Sequence, residues 1–138
     1  MPCDLEAEMS VLGIAFLSSD ALEKINDEVT MDMFYNEKNR TIFNAIISLY
    51  KKGTPIDVTT VKAELDKKKA FNEIGGIHYL TEVIDSVVTS ANLEYYIKIL
   101  KDAAIRRNVI NTATDIVTSA YNDENISSML DNAERNIL

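Results

Sequence analysis

The sequence predicts an all-α protein, and three observations support this class. Apolar residues recur at intervals of three and four through nearly the whole chain, which is the spacing of one face of a helix. The 138 residues include only four glycines and two prolines, so few positions interrupt the pattern. No run of strand length alternates apolar and polar residues. A chain of this length is one domain's worth and can bury a core without disulfides.

Five to six short helices are predicted within residues 1–90, which we call the head. Asp4 is the predicted cap of the first helix, and a short second helix follows Ser19-Asp20. Residues 31–35 are expected to form a turn that places Phe34 and Tyr35 inward. The predicted apolar stripes are Leu5, Met9, Leu12 and Phe16 in the first helix and Leu22 and Ile25 in the second.

Glycine and proline separate the remaining helices of the head. A helix begins after Asn36 and stops at Lys51-Lys52-Gly53. Pro55 enforces a break before Asp57, the predicted cap of the next helix, and Gly75-Gly76 precedes the last one. The apolar faces of these three helices are Ile42, Phe43, Ile46, Ile47, Leu49 and Tyr50, then Val58, Val61 and Leu65, then Ile77, Leu80, Val83, Ile84 and Val87.

Residues 91–138 are predicted to form a long antiparallel αα-hairpin, which we call the hairpin. The helical pattern runs without interruption from about residue 91 to residue 121, or about 45 Å at 1.5 Å per residue, which is far longer than an average globular helix. Residues 122–125 turn the chain. A returning amphipathic helix then carries the stripe Ile126, Met129, Leu130, Ala133 and Ile137.

The long helix changes its apolar face at Arg106-Arg107-Asn108. Before this point the face is Leu93, Tyr96, Ile97, Leu100, Ala103 and Ala104, and after it the face is Val109, Ile110, Ala113, Ile116, Val117 and Ala120. At 100° per residue the two faces are about a quarter turn apart. We therefore expect the first half to pack on the head, and the second half to pack on the returning helix with apolar surface left over for another chain. The alternative is that the second face is only the hairpin's internal core.

Composition argues against nucleic acid as a direct ligand and against a membrane span. The formal charge is −8, whereas phosphate binding needs clustered Lys and Arg. The one basic run, Lys67-Lys68-Lys69, follows a helix whose C-terminal turn favours cations in any case. The N-terminal region is acidic, unlike a signal peptide, and no apolar run has membrane-spanning length. These features predict a cytoplasmic protein.

The sequence predicts no catalytic, cofactor or metal site. The G-x-x-x-x-G-K-[ST] loop that cradles nucleotide phosphates does not occur. His78 is the single histidine and Cys3 the single cysteine, too few to form a zinc site without scattered carboxylates. We expect His78 to be a surface or half-buried side chain, Cys3 to be an incidental thiol, and the chain itself to have no ATPase activity.

Seven segments resemble the motifs of DnaB-family replicative helicases, in the same order and with the same spacing. Residues 2–13 follow P-x-x-x-E-A-E-x-x-V-L-G, residues 53–65 follow G-x-P-[IV]-D-x-x-T-V-x-x-x-L, and residues 74–80 follow I-G-G-x-x-Y-L. The other segments are residues 34–35, 40–46, 89–99 and 106–135. Asn39 stands where the family pattern has histidine, Met9 where glutamine is common, and Thr59 where an aliphatic residue is usual. These departures are typical of a divergent member.

The resemblance implies an N-terminal collar domain: a helical head and a hairpin leading to a linker, with the motor domain absent. The parent protein is then expected to be an ATP-dependent 5′-3′ DNA helicase of a bacterial, phage or plasmid replisome, with ATP and Mg²⁺ in the missing motor. Expected partners are further copies of the chain, from dimer to hexamer, the C-terminal domain of primase, and the helicase loader, with no direct DNA binding. The alternative is a stand-alone helical adaptor or inhibitor that mimics the collar.

Five residues are the candidate interface with primase or a second subunit. Tyr79 is the first choice because aromatic residues with a polar tip contribute strongly to interfaces, although a buried core tyrosine fits its helix equally well. The other four lie on the second apolar face of the long helix: Val109, Ile110, Ile116 and Val117.

Overall fold

A computed structural model describes residues 1–122 and 125–137, which fold into helices without any strand. The helices are α1 (Leu5–Leu17), α2 (Ser19–Glu28), α3 (Glu37–Lys51), α4 (Val58–Lys67), α5 (Gly76–Asp85), α6 (Leu93–Tyr121) and α7 (Ile126–Ile137). A single 3₁₀ turn, Met31–Met33, connects α2 to α3. The all-α class with a long-helix hairpin is confirmed.

Helix α1 is the centre of the head and packs against α2, α3, α5 and α6. Because it is surrounded, one stripe does not describe its core positions, and the predicted stripe is partly wrong. Leu5 is exposed, and Met9 and Phe16 are half-buried. The positions that are buried in α1 are Ala7, Glu8, Ser10, Val11, Leu12, Gly13, Ile14 and Ala15.

The two predicted caps, Asp4 and Asp57, are confirmed, whereas α2 begins earlier than predicted, at Ser19 with Ser18 as its cap. The Asp4 carboxylate accepts a hydrogen bond from the Ala7 amide at 2.9 Å, and the Asn36 side chain accepts from two amides at the start of α3. Asp57 and Thr60 form a reciprocal capping box on α4. Gly75 and Gly76 both have positive φ, at 98° and 64°, a conformation that glycine adopts without steric cost. These local signals fix where the helices begin.

Two predicted core residues are on the surface instead. Phe34 is buried, with its ring centroid 4.9 Å from that of Phe43, but Tyr35 is 43% exposed. The Tyr35 amide points inward and donates to the Glu8 carboxylate at 2.9 Å. Because the backbone here is extended, the Tyr35 side chain points outward, opposite to that of Phe34. Ile77 is also exposed, since it lies in the first turn of α5, ahead of the buried Leu80 and Val83.

Helix α6 lies in the hairpin, but its first half packs on the head. Leu93, Ile97 and Leu100 are buried in the core, and Arg107 is the last buried residue of the helix. Beyond Arg107 no residue that the structure describes is buried. We call residues 108–122 and 125–137 the distal hairpin. Its two arms are the end of α6 and helix α7, which pack on each other. Residues 123–124 of the predicted turn lie outside the described residues.

Candidate protein-interaction surface

The end of helix α6 carries an exposed apolar face. It consists of Val109, Ile110, Ala113, Val117 and Ala120. Val109 and Val117 are 60% and 55% exposed, although their spacing is that of a core-facing stripe. The predicted second face of α6 contains these residues together with Ile116, and all of them except Ile116 are exposed in the structure. We call these five residues the apolar face.

Ile116 differs from its neighbours because it is half-buried at the contact with α7. It lines a cleft with Asn136 and Ile137 of the returning helix. Met129 and Ala133 are the half-buried residues of α7, while Ile126, Leu130 and Ile137 are exposed. The hairpin's own contact is therefore narrow, and apolar side chains of both arms remain uncovered.

Tyr79 lies on α5 in the head, so the five candidate residues do not form one site. Its half-buried hydroxyl donates a hydrogen bond to the side-chain oxygen of Asn39. Burial raises the pKa of Tyr79, and the charges of Glu82 and Glu8 raise it further, against the opposing hydrogen bond to Asn39. The Lys38 ammonium lies 5.3 Å from the centre of the ring. Tyr79 thus links α5 to the start of α3 and remains neutral at physiological pH.

The hydrogen bond from Tyr79 continues into a buried polar network around Glu8. The Asn39 amide donates to the Glu8 carboxylate at 2.9 Å, and Glu8 also accepts from the backbone amides of Tyr35 and Asn36 at 2.9 and 3.2 Å. Glu8 and Asn39 are each fully buried. Sequence reasoning missed both roles, because Glu8 precedes the apolar run of α1 and no local pattern marks it as buried.

Arg107 marks the point where α6 leaves the head. Its guanidinium donates to the backbone oxygens of Pro2 and Asp32 at 2.9 and 3.0 Å, and it lies 5.6 Å from the centre of the Tyr35 ring. The predicted change of face at residues 106–108 therefore coincides with the end of the packing of α6 on the head. The sequence indicated this position but not the partners of Arg107.

The described residues offer little that resembles an active site. No group of three or more His, Cys, Asp or Glu side chains in this part of the chain is arranged to hold a metal ion. His78 and Cys3 are both exposed. Among the helices described, none is long and apolar enough to cross a membrane. The features that stand out are surfaces and packing contacts.

Comparison with known proteins agrees with this architecture. A family model described as "DnaB-like helicase N terminal domain" matches residues 1–102. The replicative DNA helicase DnaC of Bacillus subtilis is 40% identical over 138 residues, which cover 99% of this chain and 30% of that protein. The chain therefore spans less than a third of that helicase.

Solved structures show the same fold. The crystal structure of the N-terminal domain of DnaB helicase from Mycobacterium tuberculosis has a TM-score of 0.93 and 36% identity, covering 99% of this chain and 96% of that one. The N-terminal domain of DnaB helicase from Helicobacter pylori has a TM-score of 0.75 and 23% identity, covering 85% and 91%. With a family match over most of its length and the Mycobacterium fold over nearly all of it, this chain belongs to the DnaB-like helicase N-terminal domain family.

Proposed function

We propose that the chain is an assembly domain that pairs with further copies through the distal hairpin and provides a docking surface for primase. The observation that supports this proposal is the exposed apolar face of α6. Large apolar patches are uncommon on the surfaces of monomeric proteins and mark interaction sites. Fully burying a single Val or Ile side chain contributes roughly 1.5–3 kcal/mol, so covering this face would favour association.

The geometry of the hairpin favours a second copy as the occupant of the face. Helix α7 covers the side of α6 near Ile116, and the cleft between the two helices also includes Val109. Val117 lies outside this cleft, and Val109 and Val117 both remain more than half exposed, so they can contact another helix. The exposed Ile126, Leu130 and Ile137 of α7 add apolar surface to the same two-helix arm. In a symmetric dimer contact, the exposed apolar side chains of each arm would be covered by those of the other arm. We propose that a hexameric collar is built from dimers of this kind.

Primase docking rests on the comparison with relatives. The Helicobacter pylori structure is described together with its interactions with primase. We extend primase to this chain as a partner, and we include the helicase loader as a further partner. We also propose that the full-length parent protein is a helicase whose motor uses ATP and Mg²⁺. Ile110 and Val117 are better docking candidates than Tyr79, because the hydroxyl of Tyr79 is already engaged with Asn39 inside the head. Direct DNA binding is not part of the proposal, given the formal charge of −8.

The test is a charge placed on the apolar face. Val117→Asp should weaken self-association by at least about 2 kcal/mol, or roughly thirtyfold, because the carboxylate would have to be buried without a partner. Thr118→Asp is the matched control, since Thr118 is an exposed neighbour outside the apolar face. Sedimentation equilibrium over a concentration series measures both variants against the wild type.

The outcomes separate the proposal from the internal-core alternative. Association that is lost in Val117→Asp and kept in Thr118→Asp, with unchanged helicity, supports the proposal. A wild type that stays monomeric up to high concentration contradicts it, as does an unchanged Val117→Asp. Ile116→Asp is the less selective variant, because Ile116 also lines the cleft against α7, and we expect it to lower helicity as well.

The primase arm uses the C-terminal domain of a cognate primase as the probe. If the distal hairpin is the docking surface, Val117→Asp should weaken primase binding and Thr118→Asp should not. If primase instead docks on the head, Val117→Asp should bind it with wild-type affinity even where self-association is lost. Calorimetric titration of both variants distinguishes these results.

A further inference from the structure

We propose that Arg107 is a positioning residue that sets the direction in which the distal hairpin leaves the head. It acts by clamping α6 to two other segments of the chain at the point where the helix becomes free. This inference deepens the proposed function, because the direction of the hairpin determines where the apolar face is presented. The clamp itself does not require that the face bind anything.

The contacts of Arg107 join three separate parts of the sequence. One guanidinium nitrogen donates to the Pro2 carbonyl at 2.9 Å and another to the Asp32 carbonyl at 3.0 Å. The guanidinium carbon lies over the Tyr35 ring, 5.6 Å from the ring centroid. The N-terminal segment, the 3₁₀ turn and α6 therefore meet at one side chain.

Tyr35 is itself fixed from inside the head. Its backbone amide donates to the buried Glu8 carboxylate at 2.9 Å, and the next amide, that of Asn36, donates to the same group at 3.2 Å. Glu8 belongs to α1, the central helix of the head. The ring that Arg107 contacts is thus anchored to the centre of the domain, even though the ring is partly exposed.

The chemistry of the clamp argues for a directional role over simple packing. Arg107 is only 8% exposed, and in the described part of the chain no carboxylate lies within ion-pair distance of it. A buried charge without an opposite charge is costly, and an aliphatic residue would fill the space without that cost. The planar guanidinium offers what an aliphatic residue lacks, which is several donors held at fixed angles and a face that stacks on a ring.

The length of the distal hairpin makes the exact direction important. From Arg107 to Tyr121 the helix extends about 21 Å at 1.5 Å per residue. A tilt of about 10° at Arg107 would therefore move the tip by about 4 Å over that length. Well-packed interfaces have the density of protein interiors, so a displacement of that size would separate apolar faces that would otherwise fit.

The experiment measures the distance between head and hairpin by pulsed electron resonance. Spin labels are attached at Lys68→Cys in the head and Thr118→Cys in the hairpin, in a Cys3→Ser background, and all three positions are exposed. Labelled protein is diluted with unlabelled protein so that only distances within one chain are recorded. The label at Thr118 lies about 16 Å along the helix from Arg107, so a tilt of about 10° in Arg107→Gln should broaden or shift the distance distribution by about 3 Å. Arg107→Lys should restore part of the wild-type distribution.

Arg106→Gln is the matched control, because Arg106 is the exposed neighbour of Arg107 and should leave the distribution unchanged. A distribution for Arg107→Gln equal to that of Arg106→Gln, with only a lower melting temperature, would show that Arg107 merely stabilises the head and would overturn the proposal. Should Arg107→Gln fail to fold, Tyr35→Leu decides in the same way, since it removes the ring and keeps the amide bonded to Glu8.

Self-association gives a second readout. Arg107→Gln should weaken it roughly fivefold, at the low end of coupling between separate sites, although every residue of the apolar face is intact. If the wild type does not associate at all, the proposed function fails while the distance measurement still tests the clamp. The two failures are therefore distinguishable.

Discussion

The head and the distal hairpin both contain apolar side chains at helical spacing, but these are mostly buried in the head and mostly exposed in the distal hairpin. In the head, Leu12, Ile46 and Leu80 are at most 1% exposed, whereas no described residue of the distal hairpin is buried. One helix, α6, contributes to both regions. Before Arg107 it places Leu93, Ile97 and Leu100 in the core, although Tyr95 and Ile105 are exposed there. After Arg107 none of its described residues is buried. The comparison teaches that the same periodic pattern produces stability where other helices surround it and a contact surface where they do not.

Polar groups show the same division. The head buries Glu8, Asn39 and Glu64, and among the described residues no buried side-chain nitrogen or oxygen lacks a hydrogen-bond partner. Each such group fixes the relative position of two or more elements, because an unpaired buried polar atom is costly. The distal hairpin has no buried polar side chain among its described residues. Its geometry therefore depends on the head, through α6.

The largest expected effect tests the comparison directly by truncating one residue in each region. Phe34→Ala should lower the free energy of unfolding by about 3–5 kcal/mol, because Phe34 is fully buried against Phe43. Val117→Ala should change it by less than about 0.5 kcal/mol, as is usual for surface substitutions. Urea unfolding of both variants at low protein concentration measures the difference. A Val117→Ala variant as unstable as Phe34→Ala would show that the distal hairpin is a core after all.

Much of the fold could be predicted because its signals are local. The caps Asp4, Asn36 and Asp57 act on amides two or three residues away, and the stop at Gly53 is also a property of its own turn. The change of face in α6 follows from spacing along one helix. Such features depend on neighbouring residues and can be read without knowing which elements meet.

What could not be predicted depends on contacts between distant parts of the sequence. Glu8 meets Asn39 across 31 residues, and Arg107 meets Pro2 across 105, and no local pattern specifies such pairs. The same reason explains the error at Leu5, since a stripe identifies the core side of a helix only when the helix has one core side. The sequence fits Tyr79 to core and interface equally, because its partner, Asn39, lies 40 residues away.

An intermediate effect on stability is expected from removing the hydroxyl of Tyr79, which tests how much its hydrogen bond to Asn39 stabilises the head. Tyr79→Phe should lower the free energy of unfolding by about 1–3 kcal/mol, because the side-chain oxygen of the buried Asn39 would lose its donor. Tyr95→Phe is the control, at a tyrosine that is 65% exposed. Thermal and urea unfolding measure both. Equal stability of the two variants would mean that the hydrogen bond to Asn39 contributes nothing net to the head.

The smallest expected effect concerns the buried carboxylate of Glu64, which joins α3 to α4. Glu64 accepts a hydrogen bond from Ser48 at 2.9 Å, and the ammonium groups of Lys52 and Lys67 lie 3.3 and 3.8 Å away. The hydrogen bond from Ser48, followed by those lysines, holds the pKa of Glu64 below its ordinary value of 4.5, although burial opposes the shift. The charged form is therefore the one that the folded state favours.

The sign of the pH dependence follows from that shift. Because the pKa of Glu64 is lower in the folded state than in the unfolded chain, its contribution to stability is fully present above the unfolded value of 4.5. It is lost as the pH falls through the lower, folded value. Glu64→Gln should therefore be less stable than the wild type near neutral pH, and the difference should shrink as the solution is acidified below 4.5.

Glu73→Gln, at an exposed carboxylate, is the control and should follow the wild-type curve. Urea unfolding at a series of pH values measures all three proteins, and a gap between wild type and Glu64→Gln that stays constant down to the acid end would show that the charge of Glu64 does not stabilise the contact between α3 and α4.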